Sequence, residues 1–172
     1  MQKFSLSINY VISKFDKHSL LKNKLLDCIQ QDPGSSVKEG PNRISKGDFY
    51  IDREYQRSYI EVLGDHLYNH MDKVFQFLEY DQPVFQNIWY QQYYKNDIHS
   101  WHQHRASTWA SVYYVELSEG TPGTLLKDPL SKENIMPNVK EGDILTFPSM
   151  VWHCSPVNVS NNRKTIIAFN VE

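Results

Sequence analysis

Apolar and polar positions along the chain change their period near residue 84. Residues 4–12, Phe-Ser-Leu-Ser-Ile-Asn-Tyr-Val-Ile, alternate apolar and polar and predict a short strand. Leu20, Leu21, Leu25, Cys28 and Ile29 then share one side of a helix for which Asp16 or Ser19 supplies the cap. Asp32-Pro33-Gly34 ends that helix, and residues 33–48, rich in Gly, Pro, Ser and Asn, predict a loop with almost nothing to bury. A longer helix is predicted over about 53–79. Its apolar stripe is Tyr59, Leu63, Leu67, Met71, Val74 and Leu78, at spacings of three or four. Gly64 inside it costs about 1 kcal/mol against alanine, which close packing on a sheet would explain. From residue 84 onward the runs 84–94, 108–117, 123–128, 144–148, 151–157 and 163–171 predict short strands. Turns at Glu119-Gly120-Thr121-Pro122-Gly123 and Glu141-Gly142-Asp143 separate them. Helices first and strands afterwards predict one α+β domain over 1–172, with 1–83 supporting a sheet core in 84–172.

Composition narrows the function classes. A chain of 172 residues buries a core of its own, and a net charge of −2 with scattered basic residues gives no electrostatic footprint for nucleic acid. No apolar run approaches the ~20 residues of a membrane-spanning helix, and residues 1–15 lack the apolar stretch of a signal peptide. Cys28 and Cys154 fall in unrelated contexts without metal-ligand spacing. The expectation is a cytoplasmic protein with two reduced thiols, acting on a small molecule or peptide, without a nucleic-acid or membrane partner. Its oligomeric state is not legible.

The candidate chemistry lies between Trp101 and Arg163. On extended backbone His102 and His104, two residues apart, point to one side and can meet one metal ion. His153 from a later strand closes one face of the coordination sphere and leaves other positions open for chemistry. Strand parity groups Arg163 with Thr165, Ile167 and Phe169, and Tyr114 with Ala110 and Val112. If those faces line one barrel interior, a buried arginine without an acidic neighbour on its face points to a ligand carboxylate. His66 and His70, spaced four apart on the long helix, have no third ligand nearby in sequence and read as partly exposed. His99 reads as a solvated or supporting residue, the four tryptophans as core or pocket wall, and Cys154 as facing away from the metal.

His102-Gln103-His104, Ser111-Val112-Tyr113-Tyr114-Val115, Gly142-Asp143-Ile144-Leu145-Thr146-Phe147-Pro148-Ser149 and the His153…Arg163 pair together resemble the Fe(II)/2-oxoglutarate-dependent oxygenases. The likeness is to small prolyl-hydroxylase-like microbial and phage members and covers about residues 84–172. It implies a double-stranded β-helix, a jelly-roll or cupin-like barrel buttressed here by N-terminal helices. It also implies Fe(II), 2-oxoglutarate and O2 as cofactors and cosubstrates, and a hydroxylase that couples 2-oxoglutarate decarboxylation to C–H oxidation. By the resemblance His102 and His153 bind iron, Arg163 binds the far carboxylate of 2-oxoglutarate, and Tyr114 and Tyr94 help to hold it.

The chain departs from the family's His-x-Asp…His pattern, because His104 stands where the carboxylate belongs. Three readings are open. His104 completes a three-histidine face, or a carboxylate such as Asp97 or Asp128 swings in, or the site no longer catalyses. Two other function classes stay beside the oxygenase: a metal-dependent cupin that works without 2-oxoglutarate, and a non-catalytic barrel that only binds. Against the cupin, Arg105-Ala106-Ser107-Thr108 offers no glutamate after His-x-His.

Overall fold

A computed structural model describes residues 9–52, 54–104 and 106–172. In chain order the elements are β1 (Val11–Lys14), α1 (His18–Gln31), β2 (Ser35–Val37), β3 (Ile44–Gly47), α2 (Ser58–Phe77), β4 (Phe85–Tyr93) and β5 (His99–His102). They continue with β6 (Trp109–Glu116), β7 (Leu125–Lys127), β8 (Asn134–Ile135), β9 (Asp143–Pro148), β10 (His153–Ser155) and β11 (Lys164–Val171). They form two antiparallel sheets, ordered β1-β9-β6-β11-β4-β3-β2 and β5-β10-β7-β8. Both helices pack on one face of the larger sheet, which also takes in β1, β2 and β3 from before residue 84.

The two faces of that sheet serve different cores. On β11, Ile167, Phe169 and Val171 join Tyr90, Tyr113 and Val115 against Leu21, Leu25 and Ile29 of α1 and the Tyr59–Val74 stripe of α2. The alternate residue Ile166 points the other way, with Tyr93, Ala110, Val112, Tyr114, Leu145 and Phe147, and meets Leu126 of the smaller sheet. Every residue of β11 is buried. Fully burying one such side chain stabilises by roughly 1.5–3 kcal/mol, and truncating Phe169 to alanine would remove about 3–5 kcal/mol.

Several boundaries differ from the sequence expectation for identifiable reasons. β1 begins at Val11, and residues 4–8 of the predicted strand lie outside the described residues. Neither Asp16 nor Ser19 caps α1, whose N-cap is Lys17 with no side-chain bond. α2 starts at Ser58 because a distant carboxylate caps it: Asp32 accepts the Ser58 N–H at 3.1 Å and its hydroxyl at 2.9 Å. Residues 33–48 contain a β2–β3 hairpin, which extends the sheet through Lys46 and Gly47 opposite Gln92 and Gln91. Strand pairing satisfies its polar backbone, so few apolar side chains are needed there. Gly64 breaks α2 with φ +34° and ψ −131°, and a Cβ there would meet nothing within 4 Å. It therefore serves a backbone kink that strains any L residue, and does not serve close packing.

One buried carboxylate ties the layers together. Asp48, 1% exposed, accepts the Tyr90 N–H, the Tyr59 hydroxyl and the Arg57 Nε–H, each at 2.7 Å. Arg57 Nη2 also donates to the Asp48 and Ile51 carbonyls at 3.3 and 3.1 Å. Strand β4, the start of α2 and the loop from β3 to α2 thus share one anchor. Asp48→Ala should lower the unfolding free energy by about 3–5 kcal/mol in a urea titration, because it leaves a buried guanidinium unpaired. A loss below about 1 kcal/mol would show that the anchor is dispensable.

Candidate metal centre

The pairing of β5 with β10 sets His102 opposite His153, and two residues further His104 is held by its N–H on the Ser149 carbonyl at 2.9 Å. One ligand atom from each histidine lies within 4.8 Å of the others. Each Nδ1 faces an oxygen: His102 on the Ser100 carbonyl at 2.8 Å, His153 on the Val151 carbonyl at 2.9 Å, and His104 on Asn170 Oδ1 at 2.6 Å. A carbonyl oxygen only accepts, so each Nδ1 carries the proton and each Nε2 keeps its lone pair. Three neutral imidazoles with oriented Nε2 atoms are a donor set that fits a divalent ion. Burial pushes all three below the ordinary histidine range, His153 furthest, so they stand deprotonated at neutral pH.

The histidines line a cavity of about 210 Å³ between the two sheets, and among the described residues no Asp, Glu, Lys or Arg lines it. Neither alternative carboxylate reaches it. Asp97 accepts the N–H groups of Tyr94 and Ser45 at 2.7 and 3.0 Å, and Asp128 accepts those of Leu130 and Ser131 at 2.7 and 2.8 Å. Both carboxylates stabilise turns, so the three-histidine reading is the one the geometry favours.

Arg163, the predicted carboxylate anchor, is not among the cavity's lining residues. It pairs in a fork with Glu116, Nε at 2.8 Å and Nη2 at 3.0 Å, and this contact raises its pKa. The expectation that Arg163 lacked an acidic partner fails because Glu116 comes from the neighbouring strand β6. Tyr94, half exposed, sits on that outer side too. Tyr114 does point inward, but its hydroxyl donates to Thr124 Oγ1 at 2.8 Å and accepts the Thr124 N–H at 3.1 Å. Its hydrogen bonds are thus committed to the turn behind the cavity.

Lys164 takes the inward position that parity had given to Arg163. It is 1% exposed and donates to Ser155 Oγ at 2.6 Å and the Pro122 carbonyl at 3.0 Å, with its ammonium 4.6 Å from the centre of the Tyr93 ring. Ser155 and Tyr93 line the cavity, so the ammonium lies one side chain behind its wall. No carboxylate pairs with it among the described residues, and burial pushes its pKa down to about 7. A buried amine with a spare N–H and no counter-charge is a seat for an anion.

Other residues fall less predictably. His99 lines the cavity, stacked on His102 with ring centres 4.0 Å apart, and burial with the neighbouring histidines and Lys164 takes its pKa down to about 3. Cys154 also lines it, contrary to its predicted outward face, and burial raises its thiol to about 11. Both cysteines are free. Trp89 is pocket wall and Trp109 core, whereas Trp101 and Trp152 are partly exposed. His66 is exposed, and His70 hydrogen-bonds Ser13 on the outer face of the sheet. Asn170 was missed, although an amide inside an apolar strand is a signal in itself.

The chain has the fold of the 2OG-Fe(II) oxygenases. It superposes on an oxidoreductase of that family from Burkholderia pseudomallei with a TM-score of 0.75 and 13% identity, over 95% of this chain and 85% of the other. A viral collagen prolyl hydroxylase from Paramecium Bursaria Chlorella virus-1, solved as a 2OG complex, matches at 0.61 and 16% identity over 94% of each chain. The epimerase SnoN in complex with Fe3+, alpha ketoglutarate and nogalamycin RO matches at 0.74 and 7% identity, over 96% of this chain and 79% of its own. No protein-family model matches the chain, and no curated protein matches it in sequence.

The ligand set predicts an ordered series of metal affinities. Co(II) should bind wild type one to one, and His104→Ala should weaken it at least tenfold, about 1.4 kcal/mol. His104→Asp, which restores a carboxylate, should bind at least as tightly as wild type. Equal affinities across the three proteins at fixed pH would remove His104 from the site.

Proposed function

We propose that the protein is a non-haem Fe(II)- and 2-oxoglutarate-dependent oxygenase, a hydroxylase on a double-stranded β-helix formed by the two sheets. The observation that carries this reading is the conjunction of a three-histidine face with an unpaired, buried ammonium behind the same cavity. A metal site that works without a dicarboxylate gives no reason for Lys164. His102, His104 and His153 would hold the metal through Nε2, with Ser100, Val151 and Asn170 fixing their tautomers. When bound, iron would supply the oxidising chemistry with O2 as the oxidant, 2-oxoglutarate being oxidised to succinate and CO2. The chain's part is to seat the far carboxylate on Lys164 and Ser155, to hold the imidazoles neutral, and to keep other charges out of the cavity. Three neutral ligands leave the full charge of a divalent ion for the cosubstrate's near carboxylate to offset.

The direct test is anaerobic addition of Fe(II) and 2-oxoglutarate, for which a visible charge-transfer band is expected, followed by succinate release in air. Failure of both ligands to bind at millimolar levels would end the oxygenase reading. Lys164→Met should lower 2-oxoglutarate affinity by one to two decades, the loss of a charged hydrogen bond of about 1.5–3 kcal/mol. Arg163→Ala should change it far less, and the reverse ranking would return the anchor to Arg163.

The pH dependence has a defined sign. Lys164 falls from 10.5 to about 7 on folding, so between those values the unfolded chain holds more protons and the ligand-free protein gains stability as pH rises. A bound carboxylate requires the ammonium, so 2-oxoglutarate affinity should fall above pH 7 with uptake of one proton. Calorimetry in buffers of differing ionisation enthalpy measures that uptake. Its absence in wild type, or its persistence in Lys164→Met, would exclude the assignment.

A further inference from the structure

We infer that the mouth of the cavity takes an uncharged, ring-bearing group of the substrate; this deepens the oxygenase reading and rests on it for the cosubstrate's place. A line of rings runs from solvent to the metal face. Tyr50 and Phe49 meet edge to face at 5.2 Å, Phe49 and Trp89 at 5.2 Å, and Trp89 lies 5.7 Å from the His104 ring. Trp89 is buried, but Phe49 and Tyr50 are 54% and 63% exposed although all three line the cavity. They are held out by the Asp48 anchor directly before them, whose three bonds fix the backbone at Phe49. Exposed rings on a fixed backbone are a prepared contact surface, with the ordering cost already met in the free protein.

Size and charge define what fits. An apolar cavity of about 150 Å³ holds one benzene. The 210 Å³ here is thus largely filled by a five-carbon dicarboxylate, and the substrate presents its reacting carbon from the mouth. Among the described residues no acidic or basic side chain lines the wall along that approach, so a charged group would lose its water without a counter-charge from them. A ring offers its face or edge to Phe49, Tyr50 and Trp89 at the separations aromatic pairs prefer. Free amino acids, charged at both ends, are thereby disfavoured, and neutral rings carried on a larger molecule are favoured.

The test uses two probes on one ring frame, neutral indole and cationic tryptamine, because without cosubstrate the anion seat beside Lys164 would draw an anionic ring whatever the mouth prefers. Each is titrated into the full-length protein without metal or cosubstrate, following the Trp89 indole N–H resonance assigned with Trp89→Phe. Indole should bind saturably and shift that resonance, and tryptamine should bind at least tenfold more weakly. Phe49→Ala should weaken indole about three- to tenfold, and its side chain is exposed enough for the truncation to leave the fold intact. An unmoved Trp89 signal, tryptamine binding as tightly as indole, or wild-type affinity in Phe49→Ala would each overturn the inference. Because metal and cosubstrate are absent, failed ring binding beside intact 2-oxoglutarate binding sinks this inference alone, and the opposite result sinks the oxygenase reading alone.

Discussion

The two-residue period of strand β11 is the constraint on which the molecule depends. Its side chains alternate between the helices and the cavity, so Ile167, Phe169 and Val171 stabilise the fold, while Lys164 and Asn170 support the site. A slip of one residue would place an ammonium and an amide in the helix core and leave Phe169 in the cavity. Register is therefore specified from both sides at once. β4 and β6 flank the strand and repeat its division, with Tyr90 and Tyr113 outward and Tyr93 and Tyr114 inward.

That same double burial explains what the sequence showed and what it hid. The helices were legible because each has one wet face, and the turns because glycine and proline mark them. His102, His104 and His153 were legible because their spacing has few structural alternatives. Which face of β11 looks into the cavity was not, since Ile166 and Ala168 look as apolar as Ile167 and Phe169. Arg163 and Tyr94 were expected to face the cavity, whereas on these two paired strands it is their neighbours that point inward, Lys164 lying opposite Tyr93. Asp32 capping α2, and Glu116 neutralising Arg163, are contacts across 26 and 47 positions that no local pattern announces.

Electrostatically the site works by exclusion. Acidic residues nearby are spent elsewhere: Asp97 and Asp128 on turns, Glu116 on Arg163, and Asp48 on Arg57 and two tyrosines. What remains is a cavity with neutral imidazoles at one place and an uncompensated amine behind its wall. Both features favour incoming negative charge, and neither is a sensible way to stabilise an empty fold. Substituting histidine for a carboxylate ligand fits the same arrangement, because it keeps the protein's own negative charge away from the position a dicarboxylate would occupy.

The Asp48 anchor has a consequence for how this scaffold can change. It fastens residue 48 to β4, and through Arg57 and Tyr59 it fastens the chain where α2 begins. The segment between is thus clamped at both ends by bonds that none of its own side chains makes. Such a segment is an exchangeable cassette: the mouth can be re-lined by drift or by design while sheet, helices and metal face keep their geometry. New substrate ranges would then arise at positions 49–52 before they arise in the barrel.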